Sequence, residues 1–201
     1  MNLPNKITVS RIVLSFIILI MLCIPWHALN IVFPEFTSFF GKTLDTPISL
    51  KYIIAGVLFL VASLTDRLDG HLARKLNMVT DLGKMLDAIA DKILVNGVLI
   101  ILAYDRLIPV VIPVIIITRD IITDTCKMVS GNKGKVVAAS WTGKIKTVFM
   151  MTGVTFLLFG NLPFELIHFN FSVFCIIIAT VLSVVSGCQY YFNTRKLLDK
   201  K

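Results

Sequence analysis

The chain has 201 residues, of which 56% are hydrophobic and only 16% charged, and its mean hydropathy is +0.85. Soluble domains carry about 25% charged residues, so this composition excludes an ordinary soluble globular protein and points to a membrane protein. At about 20 apolar residues per span, the length accommodates six helices with short connections and no further soluble domain, so residues 1–201 are expected to form a single membrane domain.

The excess of 20 Lys and Arg over 12 Asp and Glu gives a formal net charge of +8. In a chain this apolar, such charge orients helices and meets anionic lipid. Membrane lipids are therefore expected partners, and nucleic acid is not. Cys23, Cys126, Cys175 and Cys188 lie far apart without C-x-x-C spacing, which excludes a zinc knuckle or redox pair.

In chain order, stretches free of Asp, Glu, Lys and Arg run over Ile12–Pro34, Tyr52–Thr65, Ile93–Tyr104, Leu107–Thr118, Thr147–Phe164 and Leu166–Thr194. The first follows a basic lead, Lys6 and Arg11, but no small-x-small cleavage site follows Cys23-Ile24-Pro25, so it is read as a retained span. The second, third and fourth are too short to cross the hydrocarbon unaided. Those helices must carry charged residues into the membrane or end in a wet cavity. The expected helices are 5–26, 47–73, 82–104, 107–130, 142–161 and 170–195, with Pro109 and Pro113 in the first turns of the fourth. Every Lys and Arg except Lys42, Lys51 and Arg106 then falls on one side. That asymmetry predicts an all-α integral membrane bundle of six transmembrane helices with both termini cytoplasmic. The outer acids Glu35, Asp45, Asp105 and Glu165 are expected in loops.

The most informative acids lie between Asp66 and Asp91. The sequence reads Thr65-Asp66-Arg67-Leu68-Asp69-Gly70-His71-Leu72-Ala73-Arg74, then Gly83-Lys84-Met85-Leu86-Asp87-Ala88-Ile89-Ala90-Asp91. Spacings of three and four residues put Asp66 with Asp69, and Asp87 with Asp91, on one face of a helix each. Four converging carboxylates repel strongly in a low-dielectric site. Hard oxygen ligands suit Mg2+ or Mn2+, and four carboxylates suffice to bridge two such ions in a phosphoryl-transfer site. A salt-bridge ladder with Arg67, Arg74, Lys84 and Lys92 would not explain why Gly70, Ala73 and Gly83 keep the adjacent faces small.

The pattern Asp66-x2-Asp69-Gly70-x2-Ala73-Arg74-x8-Gly83-x3-Asp87-x3-Asp91 resembles the signature of the CDP-alcohol phosphatidyltransferases at every defined position. The resemblance extends over the chain, since that family is a six-helix bundle with cytoplasmic termini. The segments Asn2–Arg11 and Trp141–Thr147 resemble the branch whose acceptor is glycerol 3-phosphate. Ala88 departs from that branch, which often has proline there.

The resemblance implies transfer of a phosphatidyl group from CDP-diacylglycerol to an alcohol, with release of CMP. Carried over by position, Asp66, Asp69, Asp87 and Asp91 would hold Mg2+ or Mn2+, and Asp91 would also take the proton of the acceptor hydroxyl. Asp66, Asp69, Gly70, Ala73, Arg74 and Gly83 would contact CDP-diacylglycerol, Arg74 suiting its diphosphate. It further implies a homodimer and a multi-pass enzyme of the bacterial cell membrane, with its active site facing the cytoplasm.

A second set of charges bears on the acceptor. Arg119 follows a purely apolar run on a helix with Asp120 and Asp124, and Lys127, Lys133, Lys135, Lys144 and Lys146 crowd the stretch that follows. An anionic acceptor such as glycerol 3-phosphate accounts for this charge, with Arg119, Lys135 and Lys144 on its phosphate; Thr8 and Arg11 join them through the resemblance. Serine or inositol 1-phosphate would be the acceptor in other relatives. A prenyltransferase would place its paired Asp clusters in separate loops, and a cation transporter would need acids at several depths, which the outer half lacks.

Overall fold

The computed structural model describes residues 3–39, 42–75, 81–132 and 140–199, and the side chains of 7–26, 29–38, 48–65, 83, 85–131 and 140–196 within them. Among the described residues there are six α-helices: α1 Leu3–Cys23, α2 Leu50–Lys75, α3 Asp81–Tyr104, α4 Val111–Asn132, α5 Trp141–Leu158 and α6 Phe171–Asp199. Short 3-10 turns cover Trp26–Leu29 and Phe164–Ile167, and two strands, β1 Glu35–Phe39 and β2 Lys42–Ser49, join α1 to α2.

Local chemistry sets several boundaries. Pro25 has no amide hydrogen to continue α1, which ends at Cys23. The fourth helix starts at Val111, later than the expected 107, leaving Pro109 outside and Pro113 in the first turn, where its missing N–H costs no helical bond. Ser140 caps α5: its Oγ accepts from the Gly143 amide at 3.2 Å, a contact that stabilises a helix start by about 1 kcal/mol.

The strands are a difference from the expected outer loops. They pair antiparallel, Glu35 opposite Ser49 and Phe39 opposite Lys42, with an irregularity between Phe36 and Ser38. Aromatic and β-branched residues such as Phe36, Thr37, Phe39, Thr43 and Ile48 favour this extended pairing. The hairpin is anchored where buried Ile48 covers Gly160, whose φ of +65° also suits glycine at the end of α5. Glu35 and Asp45 are therefore in strands, and α2 begins at Leu50 rather than 47.

All six helices contribute to one apolar core, including Ile18, Phe59, Leu94, Leu102, Ile116, Met150 and Ile176. The α1 helix packs against α2 and α3, while α6 packs against α4 and α5. Close approach depends on glycine. A Cβ at Gly153 would lie 2.7 Å from Ile176 Cγ1 and 3.0 Å from the Ser172 carbonyl oxygen, so α5 and α6 meet there almost backbone to backbone. Large apolar side chains also face outward on each helix, among them Phe16, Val57, Ile100, Val114, Val148 and Val181. The α6 segment Phe171–Lys196 is long and apolar enough to cross a membrane, while Ile7–Cys23 and Leu50–Thr65 are shorter apolar helices.

Gly153→Val should lower the unfolding midpoint in detergent, because the added side chain must displace backbone; overpacking of this kind costs about 1–3 kcal/mol. Gly131→Ala, with nothing within 4 Å of the new Cβ, should leave the midpoint unchanged or slightly raised. Equal midpoints for both variants would contradict the close α5–α6 contact.

Candidate active site

A cavity of about 440 Å3 opens between α2, α3 and α5. Its polar wall includes Asp87 and Asp91 of α3, Ser63 of α2, and Thr147, Thr152 and Thr155 of α5, whereas Leu60, Leu64, Met151 and Phe156 supply an apolar wall. Polar and apolar walls in one cavity fit an amphiphile. Asp87 and Asp91 are one helical turn apart, as their spacing requires, and both line this space. Asp66, Asp69, Gly70, Ala73 and Arg74 belong to the last three turns of α2, but their side chains lie outside those described. Gly83 is in the first turn of α3, one turn before Asp87.

The two described acids differ in surroundings. Asp87 is half exposed and ion-paired with Arg11, which is only 2% exposed. A guanidinium buried this deeply needs an anionic partner. Thr8, buried one turn earlier on α1, and the Ser15 hydroxyl bonded to the Arg11 carbonyl at 2.8 Å extend this polar strip. Asp91 is partly buried, within electrostatic reach of Arg11 and Lys146 as well as Asp87 and Asp120.

Behind Asp91, a smaller hollow of about 30 Å3 is lined by Asp91, Lys92, Asn96, Asp120, Lys146 and Thr147, with Val95, Met150 and Met151. Asp120 Oδ1 accepts hydrogen bonds from Arg119 Nη1 at 2.9 Å and Lys146 Nζ at 3.1 Å. Arg119 Nη2 donates to Ser186 Oγ at 2.7 Å, and the guanidinium lies 5.8 Å from the centre of the Tyr190 ring. Tyr190 in turn accepts from the Ser140 amide at 3.2 Å, tying α6 to the start of α5. Nearby, Asp124 pairs with Lys92 and, at 3.9 Å, with Lys127.

Of the residues expected around the acceptor, Arg119 is thus held at the α4–α5–α6 junction, and Thr8 and Arg11 lie on α1 beside Asp87. Lys144 is exposed on α5, and Lys135 falls outside the described residues. Lys146 and Asp120, which the sequence shows only as members of the charged stretch, are the residues that meet Arg119 here. The signal was available: Lys146, Met150, Gly153 and Val154 form the buried stripe of α5, a helical spacing that turns Lys146 inward and Lys144 outward.

The polar floor of this cavity and its signature acids define a class. The family model for CDP-alcohol phosphatidyltransferases matches residues 1–185, and the chain belongs to that family. Among curated relatives, it is 41% identical to the CDP-diacylglycerol–glycerol-3-phosphate 3-phosphatidyltransferase of Bacillus subtilis strain 168, over 94% of this chain and 93% of that one. Identically named proteins of Mycoplasma genitalium and Rickettsia bellii are 35% and 29% identical. These alignments cover 77% and 97% of this chain, and 64% and 96% of theirs.

Lys146→Ala should lower the unfolding midpoint, since Asp120 then loses a charge-assisted hydrogen bond of the kind that contributes about 1.5–3 kcal/mol. Lys144→Ala should change stability by no more than about 0.5 kcal/mol, as exposed substitutions usually do. The reverse order in thermal unfolding would contradict the inward placement of Lys146.

Proposed function

We propose that this chain transfers the phosphatidyl group of CDP-diacylglycerol to sn-glycerol 3-phosphate, forming phosphatidylglycerophosphate and releasing CMP. The observation that carries the reading is the joining of the signature acids Asp87 and Asp91 to an amphiphile-sized cavity, next to a buried cationic group on Arg119 and Lys146. The relatives' shared name supports the same donor and acceptor; nothing in them favours a prenyltransferase or a cation transporter.

Residues 1–201 act in this reading as one membrane domain. All six helices cross the bilayer, with the helix ends bearing Arg74, Lys127 and Arg195 on the cytoplasmic side together with both termini and the active site. Outward apolar residues on every helix support that placement, because lipid is the solvent in which they cost nothing. The enzyme works as a homodimer in the cell membrane of a bacterium.

The donor set at the cavity fits a hard divalent cation: carboxylate oxygens, with no thiol or imidazole among the described lining residues. Asp66, Asp69, Asp87 and Asp91 would hold Mg2+ or Mn2+, two ions in all, supplying charge neutralisation for the donor diphosphate. Gly70, Ala73 and Gly83 leave room for the nucleotide, and Arg74 binds diphosphate oxygens through its planar fork. Arg11 keeps Asp87 oriented from α1. Asp91 accepts the proton of the acceptor hydroxyl as that oxygen bonds to the phosphatidyl phosphorus and the bond to CMP breaks. A carboxylate is a weak base for an alcohol, with an ordinary pKa near about 3.9, so orientation supplies much of the rate. Arg119, Lys135 and Lys144, with Thr8 and Arg11 of α1, bind the acceptor phosphate.

Purified enzyme in mixed micelles should release CMP from CDP-diacylglycerol only when glycerol 3-phosphate is added. Chelation of divalent ions should abolish the release, and Mg2+ or Mn2+ should restore it; restoration by monovalent salt alone would contradict the proposed ligand set. Asp91→Asn should retain donor binding and lose nearly all turnover, because the amide cannot take up the proton. A rate close to that of the unmodified enzyme would remove Asp91 as the base.

A further inference from the structure

Asp120 presents an unusual arrangement for a carboxylate so near a site that must receive an anion. Its side chain is 15% exposed, and a single oxygen, Oδ1, accepts from both Arg119 and Lys146. The two cations come from different helices, α4 and α5, and Lys146 is itself only 8% exposed. Arg119 is fixed on its other side by Ser186, while its buried Nε has no hydrogen-bond partner among the described residues. Two cations share this one carboxylate, and Asp91 is the other acid that lines the hollow beside them. Both Asp120 and Lys146 line the hollow that adjoins the main cavity through Asp91, Thr147 and Met151. At about 30 Å3 the hollow has room for a water or one oxygen of a ligand.

We propose that Asp120 is a positioning residue for the acceptor: it gathers Arg119 and Lys146 on one oxygen and aims the Lys146 ammonium at the hollow beside Asp91, adding Lys146 to the groups that bind the acceptor phosphate. This rests on the glycerol 3-phosphate reading above. Asp120 does not touch the phosphate, whose charge it repels. Its contribution is to keep a long, flexible lysine from turning away, which would otherwise cost rotamer entropy on each binding event. The neighbouring lysines Lys92 and Lys127 are paired with Asp124.

The sign of the effect separates positioning from simple electrostatics. Asp120→Asn deletes a negative charge beside two cations, so Coulomb attraction alone would tighten binding of a phosphate. Positioning demands the opposite. Steady-state CMP release by the full-length enzyme in mixed micelles should show the KM for glycerol 3-phosphate raised about tenfold or more, the size of a lost charge-assisted hydrogen bond, with the KM for CDP-diacylglycerol unchanged. Asp120→Glu, which retains the charge, should show a smaller rise in the same constant. A fall or no change in the glycerol 3-phosphate KM of Asp120→Asn would overturn the proposal, and so would an equal rise in both constants. Should Asp120→Asn not fold, the same split is read from Asp120→Glu, and the same outcomes overturn it. An unmodified enzyme that releases no CMP with glycerol 3-phosphate would instead defeat the functional reading itself.

Discussion

Charge neutralisation inside an apolar bundle is the constraint on which this structure depends. An unpaired ion in an apolar interior costs several kcal/mol, and three cations here are paired with acids from other helices. Arg11 of α1 meets Asp87 of α3, Lys92 of α3 meets Asp124 of α4, and Lys146 of α5 meets Asp120 of α4. These pairs add little net stability over well-packed hydrocarbon. They do fix which helix faces which, and so bring Asp87 and Asp91 of α3 close to the basic group of α4 and α5.

The apolar parts of the molecule serve that arrangement in two ways. Small residues allow close helix contacts, as at Gly153 against α6 and at Gly56, where a Cβ would lie 3.1 Å from the Phe159 ring. Beyond the second contact, toward Asp87 and Asp91, α2 and α5 leave the cavity that Leu60, Leu64, Met151 and Phe156 line on one side. A headgroup at the acids and hydrocarbon along the apolar wall is the orientation this geometry favours for a lipid donor.

Much of this was legible in the sequence, for reasons that differ by element. The helices are legible because apolar runs lengthened at their ends by charged residues favour helix, and all six lie within four residues of their expected bounds. The start of α4 was displaced because Pro109 was read as a first-turn residue when it precedes the helix. The hairpin was missed because its segment mixes Phe, Thr and Ile with Pro, Lys and Asp, with no clean alternation to mark strands. The acid pairs could be read because their spacings of three and four residues are a helical property. The pairing of Arg11 with Asp87, by contrast, joins residues far apart in sequence, and no local pattern encodes it. Lys146 stands between the two cases: its place on the buried stripe of α5 is written in the periodicity, but its neighbours Lys133, Lys135 and Lys144 share its charge and only the phase of the helix separates it from them.

Product identity tests the central claim most directly. CDP-diacylglycerol is supplied to the purified enzyme with glycerol 3-phosphate, glycerol, serine or inositol 1-phosphate, one at a time, and the lipid formed is identified by mass spectrometry. The expected result is phosphatidylglycerophosphate from glycerol 3-phosphate, with little product from the other three. Comparable product from glycerol, or a preferred product from serine or inositol 1-phosphate, would contradict the assignment of the Arg119 group to this acceptor's phosphate.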